Sequence, residues 1–332
     1  GFEVTRIPSL SLWVYPEIKF GLPSWNFFKE IRDFDPDVIH AVNPIWTAAL
    51  GVFAAQRDAV PLVASFHTNV PEYVDALGIG WTRPLTEAAL KYLHNQAAVN
   101  LCTSGPMVDK AGEMGIRNVK LWPKAVDTET YQPSRATAAM RERLTVGNPG
   151  APLLTYIGRV SKEKDLERLD HVMQLVRAEL GDVHLAIVGD GPFLDELKAG
   201  FDPSYTTFTG YLSGEELAAA FAVGDVFLFP SATETLGLVA LESFASGVPV
   251  IGTRAGGIPF VIEEGVTGHL IDADADDAAW ADAAVSLLRD PSRRSEMGAA
   301  ARREAEKYSW VESTHALLAA YEEAIEHPYR RD

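Results

Sequence analysis

Short apolar runs alternate with longer helical patterns twice along this chain, and a turn-rich break separates the two series. In the first half, residues 36–40 open a strand and Ile45 to Arg57 reads as a helix. Pro61 to Phe66 is a strand with His67-Thr68-Asn69 at its carboxyl end, and Trp81 to Gln96 is a helix. Ala98 to Cys102 is a strand, Thr103-Ser104 can cap the next helix, and Asn118 to Leu121 is the last strand of this half. The stretch Pro133 to Pro152 contains Gly147-Asn148-Pro149-Gly150, a strong turn and linker signal. The alternation then restarts with strands at Leu153 to Ile157, Val183 to Val188, Thr206 to Thr209, Val226 to Phe229 and Val248 to Gly252. Helices are expected at Asp165 to Arg177, Asp276 to Leu288, Pro291 to Lys307 and Trp310 to Ile325. Such alternation predicts an α/β fold with parallel sheets covered on both faces. Two such domains in series predict a cleft between two sets of strand ends, the default place for a ligand.

The expected boundaries are 1–133 for a first α/β domain and 134–151 for a linker. A second α/β domain follows at 152–308, and a C-terminal helix at 309–332. A formal net charge of -17 argues against a general nucleic-acid surface, because phosphate backbones attract clusters of Lys and Arg. One cysteine, Cys102, excludes an intrachain disulfide and favours a reducing compartment. No run of eighteen apolar residues is available to span a membrane.

The block Ser231 to Gly252 carries the chemistry. Glu234 follows the apolar strand Val226 to Phe229, Gly237 marks a turn, and a helical pattern from Leu238 carries Glu242. A strand, a turn and a helix start make an anion-friendly pocket at the carboxyl edge of a parallel sheet. Two carboxylates beside backbone N–H groups suit a ligand with sugar hydroxyls and phosphates. The alternatives are a helix-start carboxylate at Glu234 and a solvent-facing one at Glu242. Leu241, Phe244 and Ala245 favour a partly covered helix, where a carboxylate needs partners.

Gly158-Arg159 and Lys164 follow the first strand of the second half. Arg159 offers a fork of donors and Lys164 a mobile point charge, and both can close on a diphosphate. His67 ends an apolar strand and faces the expected cleft; the alternative is a satisfied histidine at the core edge. The acidic run Asp272 to Asp277 reads as a solvated helix start. No His-x-His pair marks a metal, and neither Gly-x-Gly-x-x-Gly nor a phosphate loop ending in Gly-Lys-Ser occurs.

These motifs resemble the retaining glycosyltransferases of the large GT-B family with a Glu-x7-Glu block. Within it the chain is most similar to the sulfoquinovosyltransferases of cyanobacteria and plastids. The closer likeness rests on Tyr15-Pro16-Glu17 with Leu22-Pro23, His40 to Pro44, Ser65 to Pro71, His94 to Ser104 and Leu121 to Asp127. The resemblance implies two Rossmann-like domains facing a cleft, with 1–133 on the acceptor side, 152–308 binding the nucleotide sugar, and the helix at 309–332 crossing back to the first domain. It implies transfer of sulfoquinovose from UDP-sulfoquinovose to diacylglycerol at a membrane surface. It further implies no tightly bound cofactor and a UDP-sugar as donor substrate; whether Mg²⁺ is needed is left open, a loosely held activator ion being able to ride on the donor phosphates. The implied location is peripheral, on the cytoplasmic face of a bacterial membrane or at a plastid envelope.

By the same resemblance, Arg159 and Lys164 hold the diphosphate, Glu242 the ribose and Glu234 the donor sugar. The amides around Leu236-Gly237-Leu238 meet phosphate or sugar, Tyr211-Leu212 grips the base, and His67 orients the sugar. Lys124 and Arg254 are candidates for the sulfonate by position. Leu12 to Tyr15 and Ile79 to Arg83 are candidate lipid contacts, with core packing as the alternative. Two departures stand out. The usual Arg-Gly before Val-Asp is Lys124-Ala125, and the family's opening strand and glycine loop are not found. The numbered sequence is therefore expected to begin inside a longer protein. A mannosyl- or glucosyltransferase acting on a lipid acceptor, and an inactive sugar-nucleotide-binding scaffold, stay open as rival readings. Oligomeric state is left open.

Overall fold

Six parallel strands order themselves β12-β11-β10-β7-β8-β9 in the larger sheet, with β7 Leu153–Ile157, β8 His184–Val188, β9 Thr206–Gly210, β10 Val226–Phe229, β11 Val250–Thr253 and β12 Gly268–Ile271. The computed structural model describes residues 4–11, 19–21, 25–45, 47–67 and 80–328. The chain divides into two compact units, Gly1–Pro123 with Thr314–Asp332, and Lys124–Ser313.

In the second unit the chain runs outward from β7 through β8 to β9. It then returns to the other side of β7 and runs outward again through β10, β11 and β12. The strand order therefore reverses between β7 and β10. Crossovers on the two sides of such a point leave a crevice at the strand carboxyl ends. The four inner strands β7, β8, β10 and β11 are largely apolar without alternation because both faces are covered. Every residue of β7, β8, β10 and β11 is buried. The helices Arg168–Leu180 and Asp277–Arg289 pack on one another, with Trp280 fully buried.

Two expectations for this unit change. The segment 134–151 is no free linker. Thr137 caps the helix Ala138–Leu144 by accepting from the Met140 amide, and Met140 and Leu144 enter the core. Arg141 adds hydrogen bonds to the carbonyls of Val223 and Ala151 and to Asp225 at 2.7 Å. Asp225 also accepts from the Leu153 amide at 2.8 Å and pairs with Arg294 at 3.2 Å. The glycine-rich turn thus lies inside the unit, whose first residue is Lys124. The acidic run is not merely solvated either. Asp276 caps its helix through the Ala279 amide, and Asp277 pairs with Arg168 at 3.2 Å and His171 at 3.0 Å.

The first unit carries a parallel sheet ordered β3 (Ile39–Val42), β4 (Leu62–Phe66), β5 (Val99–Cys102) and β6 (Val119–Leu121). A short antiparallel ribbon pairs β1 (Ser9–Ser11) with β2 (Lys19–Gly21). It has no counterpart in the expectations above, as does β12 in the other unit. Every residue of β4 and β5 is buried. The C-terminal helix Trp310–Glu326 lays Ala320 and Ala324 on Val63, Val99 and Leu101. Ser104 holds the N-cap position of the helix Gly105–Glu113 without a side-chain capping bond. Among the described residues, no helix is long and apolar enough to cross a membrane.

Candidate active site

The turns after β7 and β8 touch backbone to backbone. The Gly158 amide donates to the Val188 carbonyl at 2.9 Å, and the Val160 amide to the Asp190 carbonyl at 2.9 Å. Gly189 sits at φ 141°, and a Cβ there would stand 1.8 Å from the Gly158 carbonyl oxygen. Only glycine tolerates that approach. Fully buried Tyr156 braces the same turn by donating to the Arg159 carbonyl at 2.8 Å. Gly189→Ala is therefore expected to displace the turn that carries Arg159. It should cost at least ~1–3 kcal/mol of stability, the range for a residue held in a disfavoured conformation. Thermal unfolding checks this, and a wild-type midpoint would contradict it.

On the other side of the strand reversal, the chain leaves β10 and reaches Glu234, whose carbonyl accepts from the Gly257 amide at 2.7 Å. Gly237 then caps the helix Leu238–Ala245 in the left-handed region, φ 87°. A left-handed N-cap directly before the helix leaves the first N–H groups of the helix without intrahelical partners. Lys164 comes from the 3₁₀ turn Lys162–Lys164 after β7. Its Nζ meets Glu234 Oε1 at 2.5 Å, with the two side chains only 17% and 21% exposed. The structure thus joins two predicted residues from the two strands that flank the reversal.

Beside them lies a cavity of about 310 Å³, lined among others by Gly158, Arg159, Tyr211, Leu212, Val239 and Glu242. Tyr211 is 76% exposed at its rim, and Leu212 is buried. Burial pushes the Glu242 carboxyl up to about 7, opposed by a hydrogen bond from Tyr131. Burial, with the nearby Glu242 charge adding to it, pushes the Tyr131 phenol up to about 12. Tyr131 packs edge-on to Phe221 at 5.3 Å. Sequence reasoning missed Tyr131, and no local pattern could have found it, since its partners are distant in the chain. Gly189 was visible only as a turn residue.

The remaining candidates are dispersed. Leu236 is buried and Leu238 half exposed, on either side of Gly237. Burial lowers the Lys124 ammonium to about 8. Arg254, after β11, pairs with Asp272 at 2.8 Å and Glu264 at 3.6 Å, and donates to the Leu270 carbonyl at 3.0 Å. It serves the outer edge of the sheet and is not among the cavity's lining residues. In the first unit, His67 ends β4. Its amide donates to Asn43 Oδ1 at 2.7 Å, its Nε2 lies 2.8 Å from Ser65 Oγ, and its ring meets Trp122 edge-on at 5.5 Å. Leu12 to Tyr15, Thr68, Asn69 and Ile79 lie outside the described residues, whereas Trp81 and Leu85 are 84% and 75% exposed.

The profile of the family described as Glycosyl transferases group 1 matches residues 151–290, and that of Glycosyltransferase Family 4 matches residues 2–130. The chain is 39% identical to a sulfoquinovosyl transferase of Arabidopsis thaliana over 95% of its own length and 62% of that protein, so it spans less than two thirds of that relative. It is 33% identical to a GDP-mannose-dependent alpha-mannosyltransferase of Mycobacterium tuberculosis, over 97% of this chain and 82% of that one. Among solved structures it is similar to the sucrose-phosphate synthase of Thermosynechococcus elongatus, with a TM-score of 0.75, 21% identity, and coverage of 90% and 76% of the two chains. Anabaena HepE, solved in complex with UDP-glucose, gives a TM-score of 0.75 at 19% identity, covering 90% and 81%. At such identities these two structures speak to the fold.

Proposed function

Because the chain belongs to the group 1 glycosyltransferase family and has the GT-B fold, we propose that it transfers sulfoquinovose from UDP-sulfoquinovose to diacylglycerol with retention at the anomeric carbon. The observation that carries this reading is the 39% identity, across 95% of the chain, to the Arabidopsis sulfoquinovosyl transferase. UDP as the nucleotide is supported by the fold relative solved with UDP-glucose.

In this reading the donor lies across the strand reversal of the second unit. The base stacks near Tyr211 and Leu212, and the ribose hydroxyls donate to Glu242. A carboxylate buried with one phenol partner gains most from two ligand hydroxyls. Arg159, Lys164 and the amides after Gly237 receive the diphosphate. Lys164, which Glu234 holds at 2.5 Å, turns to the phosphates when donor enters. That releases the Glu234 carboxylate to accept from sugar hydroxyls. The acceptor hydroxyl oxygen then attacks the anomeric carbon on the face that UDP leaves. The C–O bond to UDP breaks, its electron pair passes to the phosphate oxygen, and that oxygen takes the acceptor's proton. Fixed positive charge where negative charge develops supplies the largest stabilisation.

A sulfonated sugar asks for one more cation. Lys124, half-buried, is our candidate by position; Arg254 serves the outer edge of the sheet. Mg²⁺, as an activator, would ride on the donor phosphates; among the described residues no cluster of metal-ligating side chains is found. Peripheral contact with the bilayer is supported by exposed Trp81 and Leu85, which lie one helical turn apart. The net charge of -17 makes a broad electrostatic attraction to anionic lipid an unsuitable basis for that contact.

A second reading, mannosyl transfer from GDP-mannose, is favoured by the mycobacterial likeness, which covers more of that relative's length. The discriminating experiment offers diacylglycerol vesicles with UDP-sulfoquinovose, UDP-glucose or GDP-mannose and reads the lipid product by mass spectrometry. A sulfoquinovosyl lipid is expected. A hexosyl lipid would overturn the donor assignment while keeping the residue roles. UDP binding without any transfer would favour a scaffold.

A further inference from the structure

The first unit holds a chain of polar side chains that ends at His67 and whose other members have no part in the proposed chemistry. His67 Nε2 lies 2.8 Å from Ser65 Oγ, and the same oxygen lies 2.8 Å from His40 Nε2. His40 Nδ1 lies 2.9 Å from the hydroxyl of Tyr321, on the C-terminal helix. Ser65 is fully buried on β4, next to β3, which carries His40. Trp122 walls the chain, with its ring 5.5 Å from that of His67 and 5.8 Å from that of His40. We infer that Tyr321, His40 and Ser65 form a directional hydrogen-bond relay that fixes the ring orientation and tautomer of His67.

The direction follows from counting protons. The Ser65 hydroxyl has one hydrogen, and among the described residues its oxygen is in reach of the two ring nitrogens only. A buried hydroxyl donor left unmatched is costly, so its proton goes to one of them. That nitrogen carries a lone pair, and the other nitrogen must donate to the serine. The Nε2 tautomers of the two neutral rings are therefore opposite, and a neutral imidazole that bears a proton on one nitrogen bears none on the other. Tyr321 sets the sense. Among the described residues its hydroxyl has His40 Nδ1 as its hydrogen-bond partner, at 2.9 Å, and a phenol is a better donor than acceptor, so its proton goes to that nitrogen. His40 Nε2–H then donates to Ser65, Ser65 donates to His67 Nε2, and His67 carries its proton on Nδ1. The backbone of His67 is fixed independently, by its amide bond to Asn43 Oδ1 at 2.7 Å. His40, Ser65 and Tyr321 are thus positioning residues, and the C-terminal helix takes part in orienting a side chain at the end of β4.

The consequence for turnover rests on the proposed glycosyl transfer and on the role the family resemblance gives His67, orienting the donor sugar; the relay itself does not. The test begins without substrate. Long-range ¹H–¹⁵N correlation of histidine-labelled protein, assigned with His40→Gln and His67→Gln, is expected to show His67 protonated at Nδ1 and His40 at Nε2. Tyr321→Phe removes one oxygen and should turn both rings into tautomer mixtures. Ser65→Ala should release His67 while His40 keeps its Tyr321-set form. A purely structural role would lower the melting temperature without moving the tautomers. Wild-type His67 protonated at Nε2, or ring shifts unmoved by Tyr321→Phe, would overturn the relay. In turnover assays Tyr321→Phe is expected to lower kcat about tenfold with little change in donor KM. Moved tautomers with unchanged kcat would keep the relay and remove His67 from the donor reading.

Discussion

Replacing Lys164 by alanine is expected to lower kcat by about 10²–10³-fold, the range for losing one pre-positioned charge-stabilising donor. The expectation rests on where the ammonium sits. It reaches Glu234 at 2.5 Å from a neighbouring turn, with both groups about four-fifths buried, so its position is set before any substrate arrives. In a site shielded from water, a fixed cation acts on developing charge far more strongly than at an exposed surface. The same substitution leaves the Glu234 carboxylate without its cation, so part of any loss could be traced to that acid. The double variant Lys164→Ala with Glu234→Gln, compared with Glu234→Gln alone, separates the two effects. If the missing cation is the cause, kcat in the double variant falls well below that of Glu234→Gln alone. Arg159→Ala is expected to act in the same direction, because Arg159 lines the adjoining cavity. Folding should change little in comparison, as Lys164 stands on a 3₁₀ turn and takes no part in the hydrophobic core. The check is steady-state kinetics alongside thermal unfolding. Near-wild-type turnover with unchanged donor saturation would remove both residues from the reaction.

How far the site was legible in the chain depends on whether its partners are local. The apolar runs that became β7 and β10 are continuous, as buried parallel strands must be, so their carboxyl ends could be located. Gly158-Arg159, Lys164 and Glu234 follow those ends directly. Their convergence therefore needed only a correct strand order. Glu242 was legible as a half-covered helix position through Leu241, Phe244 and Ala245, which the structure buries. What pairs with it was not, since Tyr131 comes from a segment without periodicity. The stretch 134–151 misled for a related reason. Gly147 to Gly150 has the composition of a linker, yet the helix before it is pinned by Arg141 and Asp225, whose pairing spans the unit. Arg254 looked free to meet a ligand because its carboxylate partners, Glu264 and Asp272, come from the turn before β12 and from its end. That strand was not anticipated. His40 and Ser65 stood inside the motifs that carried the resemblance, but nothing in the chain announced that Tyr321 would close the line. Period and turn chemistry report on neighbours in sequence. Ion pairs and hydrogen bonds between elements report on topology, which only the fold supplies.

Glu242→Gln is expected to separate stability from binding. Burial disfavours the charged form of this carboxyl and pushes it from an ordinary 4.5 up to about 7. A group whose folded-state value is raised binds more protons in the folded than in the unfolded chain between those two values. Stability therefore falls as pH rises. The contribution is fully present below about 4.5 and is lost as pH climbs through about 7. A shift of this size corresponds to a loss on the order of 3 kcal/mol. Glutamine keeps the shape and cannot ionise, so the variant should melt like wild type at pH 5 and above it at pH 8. Donor binding should move the other way. Ribose hydroxyls donate to the ionised carboxylate, and each charge-assisted bond is worth roughly 1.5–3 kcal/mol. Wild-type affinity for UDP is thus expected to strengthen from pH 6 to pH 8, as the carboxylate is ionised without help from the ligand. The variant should bind UDP about 10- to 100-fold more weakly, a loss of one to two such tenfold steps, with no trend over that range. Calorimetric titration with UDP and melting curves from pH 5 to pH 8 test both halves together. Parallel melting curves for the two proteins would show that Glu242 is not the buried titrating group. A stabilised variant that kept full UDP affinity would leave the burial standing and take the ribose away from Glu242.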